Sequence, residues 1–366
     1  MSTNVLRIES PGLMSTIQDL GRFGYQRFGI STSGASDRDA LRLGNILLGN
    51  EVGDAAIEIT FGAFTAEFTA STAFAISGAD LRATLNGTPI SGMTVYMASA
   101  GDRLAMAAPV SGFRSYLHLP GGVACDQVLG SSSTYQPAHI GGVDGRALQA
   151  GDELAAGDPS RSVSAGTVLD FPAPEQSESQ SPQPVRVVLG PQDDHFTADG
   201  VQTFLKEIFT ITDRSNRQGV RLDGPDIEAV NDSYDIVSDA VVTGSIQIPG
   251  DRKPIILMSD RQTTGGYPKI GVVATVDIPH IAQAAPGAQI RFVAVSREEA
   301  VELLKDREIA LNQASVMASE MQEFDLAVDS EAHWVGVPDQ RGMQSPDRFQ
   351  VELDGNVHTV SVENIE

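Results

Sequence analysis

The stretch Ala55–Ala75, AAIEITFGAFTAEFTASTAFA, decides the fold class. Its apolar residues return at Ile57, Ile59, Phe61, Phe64, Phe68 and Phe74, partly at the period of two expected of strands with one buried face. Outward from it, Asn86-Gly87 and Asp354-Gly355 are type I′ hairpin signals, because both dipeptides tolerate positive φ. Glycine (36 residues) and proline (19 residues) punctuate the remainder, as tight connections between many short strands require. Three segments read as helical. Ser36 is a candidate N-cap for a helix through Ala40, Leu41, Leu43, Ile46 and Leu47, closing near Gly49-Asn50. Thr197 opens a second, with Val201, Phe204, Leu205 and Ile208, and Ser296 with Glu299 forms a capping box ahead of a third through Ala300, Val301, Leu303 and Leu304. These helices are too few for a doubly wound α/β domain, so the chain is predicted to be mainly β.

The 366 residues, 41% hydrophobic, suffice for two cores rather than one. Acidic residues outnumber basic ones 48 to 25, for a formal charge of −23. Such a surface repels phosphate backbones and anionic lipid, which argues against nucleic-acid and membrane partners. Cys125 is the only cysteine, so neither an intrachain disulfide nor a thiolate cluster is available. Met1 to Gly21 holds no apolar core of signal-peptide length, and no run approaches the roughly 18–20 apolar residues of a membrane span. The expectation is a soluble cytoplasmic protein.

Pro172 to Pro184 is polar, without periodicity and poor in apolar groups, which reads as a linker. The predicted organisation is therefore residues 1–171, a linker over 172–184, a second β domain over 185–298, and a helix with an acidic extension over 299–366. Phe349–Ile365 alternates like a lone hairpin around Asp354-Gly355. A lone hairpin is marginally stable in water, so it needs something to dock on.

Most catalytic signatures are missing. There is no G-x-x-x-x-G-K-[ST] phosphate loop; Gly265-Gly266-Tyr267-Pro268-Lys269 has the ingredients without the spacing. The six histidines form no metal pattern, and no metal site is expected. There is no G-x-S-x-G elbow, and Gly130-Ser131-Ser132-Ser133-Thr134 has no evident lysine partner of an amidase triad.

Four polar clusters remain. Thr16-Ile17-Gln18-Asp19-Leu20-Gly21-Arg22 sets an acid and an arginine three apart among glycines, which suits either anion binding or an internal salt bridge. Ser33-Gly34-Ala35-Ser36-Asp37 sits at the mouth of a helix, where it either meets an anionic group or simply caps. Ser77-Gly78-Ala79-Asp80 ends a strand, where the carboxylate either moves protons or tightens the turn. The densest is Ser259-Asp260-Arg261-Gln262-Thr263-Thr264-Gly265-Gly266-Tyr267-Pro268-Lys269. It contains one of only four lysines, beside side chains suited to a polar, planar group; an ordinary hairpin loop is the alternative. Asp213-Arg214-Ser215-Asn216-Arg217 is a second polar turn placed to face it.

These clusters, in this order, resemble the biotin-dependent carboxyltransferase or allophanate hydrolase subunit 2 family. That family includes the C-type component of 5-oxoprolinase, the Kip antagonist and part of the carboxyltransferase region of urea carboxylase. The matching stretches are Thr16–Arg22, Ser33–Asp37 with Asn45 and Gly49-Asn50, Glu58-Ile59-Thr60 with Ser77–Asp80, and Gly121-Gly122 to Gly130-Ser131. They continue through Gly141–Asp152, Gly190-Pro191-Gln192, Ser215–Arg221 and Thr263–Lys269, covering residues 5 to 298 in register. The resemblance implies two consecutive cyclophilin-like β-barrel domains with a site between them. It also implies partners: a chain of the allophanate hydrolase subunit 1 type, which is the B-type component of 5-oxoprolinase, and an A-type component of the same assembly. Two departures stand out. No lysine lies in a Met-Lys-Met setting, so any biotin is carried by another protein, and no amidase machinery accompanies the allophanate hydrolase label.

The function so implied is ATP-dependent opening of the 5-oxoproline lactam to glutamate, with this chain as one component that is inactive alone. On the family-matching positions, Arg22 and Lys269 are placed to hold developing negative charge and Asp80 or Asp260 to handle protons. Gln262, Thr263 and Tyr267 would orient the amide, with Gln18, Asp37, Asn216 and Arg217 as further substrate-binding candidates. ATP is required by the assembly, on this chain or on a partner. The alternatives are carboxyl transfer from carboxybiotin to urea or a related amide, and a non-catalytic regulator that binds a Kip-inhibitor-like partner.

Overall fold

A computed structural model describes residues 4–158, 160, 163–169, 171, 182–328, 333–334, 348–353 and 356–361, with side chains through residue 315. Strands dominate, and among the described residues four α-helices interrupt them: α1 (Arg38–Leu47), α2 (Ala198–Lys206), α3 (Ile278–Gln283) and α4 (Arg297–Val328). The mainly β expectation therefore holds. No helix among the described residues is long and apolar enough to cross a membrane.

Residues up to Ala318 form one compact unit that contains two large cores. The first lies between two sheets. One has seven strands in the order Val123–Ala124, Glu153–Ala156, Asn4–Pro11, Phe64–Phe68, Arg103–Met106, Thr84–Leu85 and Thr88–Pro89. The other has five, in the order Met14–Gln18, Ala56–Thr60, Ser111–His118, Thr72–Asp80 and Val95–Ala98. Ile57, Ile59, Phe64, Phe68 and Phe74 are all fully or almost fully enclosed, as their alternation foretold. Phe61 is the exception and is 44% exposed. It occupies, with Gly62 and Ala63, a turn of three successive positive φ angles that carries the chain from one sheet to the other. Asn86 (φ 52°) and Gly87 (φ 80°) join two paired strands in the expected tight hairpin.

The second core fills a closed barrel of Gln183–Leu189, Lys269–Val273, Ser245–Gln247, Ile255–Leu257, Gly219–Asp223, Phe209–Ile211 and Gln289–Ala294. Closure comes from the parallel pairing of the first and last of these, Val185 opposite Phe292. A closed sheet leaves no edge unpaired. Gln183 and Pro184, read from sequence as linker, already belong to the barrel; Pro172–Ser181 lies outside the described residues.

Besides Ile208, which lies past the end of α2, the helices differ from the sequence reading in three respects. The side chain that caps α1 is Asp37, which accepts from the Ala40 amide at 2.9 Å, and not Ser36. Ser36 is drawn instead into a buried ionic cluster described below. The third predicted helix runs 32 residues, because Arg297–Val328 contains neither glycine nor proline and is rich in alanine, leucine and glutamate. Its capping box forms as expected, Ser296 N donating to Glu299 Oε2 at 2.7 Å and Glu299 N to Ser296 Oγ at 3.1 Å. The third difference is α3, which has no counterpart in the reading: Pro279 stands in its first turn, where a missing N–H costs nothing.

α1 packs through Leu43, Ile46 and Leu47 onto the five-stranded sheet, and Leu311 and Ala314 of α4 join that contact. Residues Ser319–Glu366 make a separate compact unit with a three-stranded sheet of His333–Trp334, Arg348–Leu353 and Asn356–Ser361. Leu353 pairs with Asn356, while Asp354-Gly355 lies outside the described residues.

Candidate active site

Two loops from the barrel, Asp213–Gln218 and Ser259–Lys269, meet the first core at its most polar point. Arg217 is 4% exposed and donates Nε to Asp260 Oδ2 at 2.9 Å and Nη2 to Asp260 Oδ1 at 3.0 Å. Its Nη1 reaches Ser36 Oγ at 3.0 Å and Glu58 Oε1, and its Nη2 also reaches the Gly34 carbonyl at 2.7 Å. Glu58 further accepts from the Ser36 amide and the Tyr116 hydroxyl, both at 2.8 Å. Asp260 Oδ1 also takes the Ser33 hydroxyl at 2.6 Å. Burial alone raises the Glu58 carboxyl, but Arg217, Arg114 and the bonds from Ser36 and Tyr116 outweigh it and hold the group below the ordinary glutamate range. Burial likewise disfavours a charged Arg217, and Asp260 and Glu58 reverse that, so it stays protonated.

The same loop turns outward at Lys269. Its Nζ lies 2.6 Å from Asp239 Oδ2 and 3.0 Å from the Ala240 carbonyl. Lys269 is 3% exposed, whereas the Asp239 side chain is 50% exposed. The lysine hydrogen bond holds the Asp239 carboxyl below its usual range. Amides surround the pair. Gln192 Nε2 donates to Asp239 Oδ2 at 3.2 Å and its Oε1 accepts from Lys269 N at 3.2 Å; Gln262 Nε2 donates to Gln247 Oε1 at 3.2 Å. A cleft of about 470 Å³, lined by Gln192, His195 and Ile236–Asp239, opens beside Asp239. A buried ammonium with an exposed carboxylate partner and primary amides nearby can bind, orient and exchange protons with a planar polar group.

The structure thus brings Arg217 to Asp260, and both Lys269 and Gln262 to Gln247, the first by strand register and the second by hydrogen bond. Thr263 contributes its carbonyl to the Val241 amide, and Tyr267 is 41% exposed. Other expected residues lie elsewhere or do other work. Arg22 is fully enclosed and donates to the carbonyls of Val128 (2.8 Å), Ser131 (3.3 Å) and Ser133 (2.9 Å), so in this structure it fastens a loop, while its Nη1 is buried without a hydrogen-bond partner. Its sequence neighbour Asp19 is held by Ser131, Ser132 and Ser133 rather than by Arg22. Gln18, also enclosed, bonds Thr16 and the Thr134 carbonyl. Asn216 uses its Oδ1 to accept from Gln218 N at 2.8 Å, closing its own turn. Asp80 does the same toward Arg82 N at 2.8 Å and makes no hydrogen bond with Lys269, Asp260 or Arg22. Asp37 caps α1 and accepts from Gln283 Nε2 at 2.8 Å, which ties α3 to the first core.

Sequence reasoning did not single out Glu58, Asp239 or Gln247 as site residues. Glu58 carried a signal: a carboxylate between Ile57 and Ile59 in the most apolar strand has to be paired. Asp239 stands in an ordinary polar stretch, and only the pairing of two-residue strands brings it to Lys269.

Known proteins share this outline. The model of the family "Carboxyltransferase domain, subdomain A and B" matches residues 28–294. The C component of the 5-oxoprolinase of Haemophilus influenzae is 38% identical over 299 residues, which cover 82% of this chain and 94% of that protein. Urea amidolyase of Lachancea kluyveri is 32% identical over 325 residues, covering 83% of this chain and 18% of that much longer one. Among solved structures, the urea carboxylase of Kluyveromyces lactis superposes with a TM-score of 0.78 at 29% identity, over 86% of this chain and 29% of that one. The chain belongs to the family of carboxyltransferase domains, subdomains A and B.

Proposed function

We propose that this chain is the C-type component of an ATP-dependent 5-oxoprolinase assembly, which opens the lactam of 5-oxoproline to glutamate and is inactive without its partners. One observation carries the reading. The match to the 5-oxoprolinase C component spans 94% of that protein, whereas the same region is 18% of a urea amidolyase that holds other parts in one chain. The first relationship is to a whole protein and the second to one part of a protein. Its partners are then a B-type chain, of the allophanate hydrolase subunit 1 class, and an A-type chain.

In this reading the lactam amide lies in the cleft beside Asp239. Lys269 offers its positive charge to the carbonyl oxygen as negative charge develops there, and Asp239 sets the lysine's position and takes or returns a proton. Gln192 and Gln262 complement the amide with one donor and one acceptor each, and Tyr267 borders the loop. Asp260 holds Arg217 and is a positioning residue rather than a proton carrier. The space beside Gly265 is taken by the Gln247 amide, whose Nε2 lies 2.3 Å from where a Cβ would stand. ATP belongs to the assembly, on this chain or on a partner. Biotin has no carrier lysine here either.

The deciding experiment measures glutamate released from 5-oxoproline and ATP, by this chain alone and with its A-type and B-type partners. Release only from the mixture supports the proposal; a fully formed complex with no release overturns it. The second reading, carboxyl transfer to urea or a related amide, draws on the 0.78 TM-score to urea carboxylase. It requires a biotin-carrier protein, and the same assay with urea, bicarbonate and that carrier distinguishes the two. Tight partner binding without turnover of either substrate would leave a regulator.

A further inference from the structure

A cavity of about 680 Å³ lies between α1, the start of α4 and the barrel, apart from the cleft beside Asp239. That volume is in the range of small-molecule sites. Much of its wall is apolar, with Leu20, Val272, Ile278 and Leu304 among the lining, while four arginines, Arg38, Arg42, Arg261 and Arg307, also face it. Two of the four are neutralised within the protein. Arg42 makes a two-pronged pair with Glu308 at 2.8 and 2.9 Å, and Arg307 pairs with Asp39 at 2.7 Å.

Arg38 and Arg261 have no such partner. Neither forms an ion pair with any described carboxylate, although Asp39 and Glu308 line the same cavity. Arg261 is 3% exposed; its Nη1 donates to Thr32 Oγ1 at 3.1 Å and its Nε, also buried, has no hydrogen-bond acceptor. The Arg38 guanidinium stacks 5.3 Å above the exposed Phe23 ring and repels that of Arg261. Two guanidinium groups without an ion-pair partner in one partly apolar cavity are costly, although Asp19 offsets part of the cost at Arg38. In a chain of formal charge −23, such a positive pair stands out as a local exception.

We propose that this cavity binds a small molecule with an oxyanion head, a carboxylate or a phosphate, held between Arg38 and Arg261, and an apolar body against the wall near Phe23. The anion gives the Arg261 guanidinium a counter-charge and offsets the repulsion between the two cations. The inference stands independently of which amide the cleft beside Asp239 accepts, since it concerns different residues and involves no turnover.

The test is calorimetric titration of the isolated full-length chain, without ATP or partner proteins. The probes are phenyl phosphate, benzoate and the neutral isostere benzamide. The expected result is saturable binding of at least one anion, at least about tenfold tighter than benzamide and weakened by salt. The tighter anion identifies the head group. Arg261→Gln and Arg38→Gln should each weaken it by about tenfold or more. Arg38 is less enclosed than Arg261, so its variant keeps the test open if Arg261→Gln misfolds. Equal binding of benzoate, phenyl phosphate and benzamide, no saturable binding of either anion, or unchanged affinity in the Arg38 variant would overturn the proposal.

Discussion

The Arg217 guanidinium lies 2.5 Å from the carboxylate of Glu58, a residue 159 positions earlier in a strand of the other core. Among the described residues, Arg217 is also the one that forms an ion pair with Asp260. Its replacement by methionine keeps most of the volume but strands the buried Asp260 carboxylate and leaves Glu58 with Arg114, 3.7 Å away, as its remaining cation. Breaking a buried ionic cluster in this way costs about 3–5 kcal/mol. Urea unfolding should show a loss of that size for Arg217→Met. A loss under about 1 kcal/mol would mean that the two halves are held together by other contacts.

How much was legible in the sequence depends on the range of the interactions involved. Strand alternation at Ile57–Phe74, the Asn86-Gly87 turn and the Ser296/Glu299 box are local, and each appears as read. Phe61 departs because a sheet-to-sheet crossing, invisible in periodicity, puts it in a turn. The site was legible in outline only. Lys269, Gln262, Asp260 and Arg217 lie in two turns dense in polar residues, which is a local signal. Their partners Asp239 and Glu58, and the open guanidinium groups of Arg38 and Arg261, follow from tertiary placement. Arg22 and Gln18 carried the same local signal and turned out to fasten a buried loop, since polarity in a sequence does not say whether backbone or ligand supplies the partner.

Gly44 lies inside α1, where alanine ordinarily stabilises a helix by up to about 1 kcal/mol. Here a Cβ would stand 2.1 Å from His118 Nε2. The imidazole cannot retreat: it is fully buried, with Nδ1 3.0 Å from Asn45 Oδ1 and Nε2 2.9 Å from Ser77 Oγ. Gly44→Ala should therefore lower stability, by about 1–3 kcal/mol, as overpacking does. A raised Tm for this variant would show that the ring has room to move.

Asp37 is fully buried, and burial pushes its carboxyl up to about 6 against the bonds from Ala40 and Gln283. A carboxyl raised in the folded state favours folding most when protonated. Its contribution is complete below about pH 4, declines as pH rises toward 6, and is constant above that, for a maximum of about 3 kcal/mol. Asp37→Asn retains a good capping residue and removes the ionisation. The stability difference, variant minus parent, should rise from pH 4 to pH 6 and then level off. Any effect of the changed bond to Gln283 is a fixed offset and leaves that trend untouched. A difference flat across the window would place the Asp37 pKa near its ordinary value.

Lys269→Met tests the proposed catalytic cleft. The substitution preserves an unbranched apolar stem while deleting the ammonium, and the Asp239 carboxylate it leaves is half in water. A lone pair with one exposed partner contributes little to stability, so the unfolding free energy should shift by less than about 1 kcal/mol. Turnover of 5-oxoproline by the assembled complex should fall by about a hundredfold or more if the ammonium stabilises the developing oxyanion. Asp239→Asn should reduce turnover less, because it loosens the lysine without removing its charge. Normal turnover by a correctly assembled Lys269→Met complex would remove this lysine from the chemistry and leave the pair as a fastening of the Asp239–Ala240 strand.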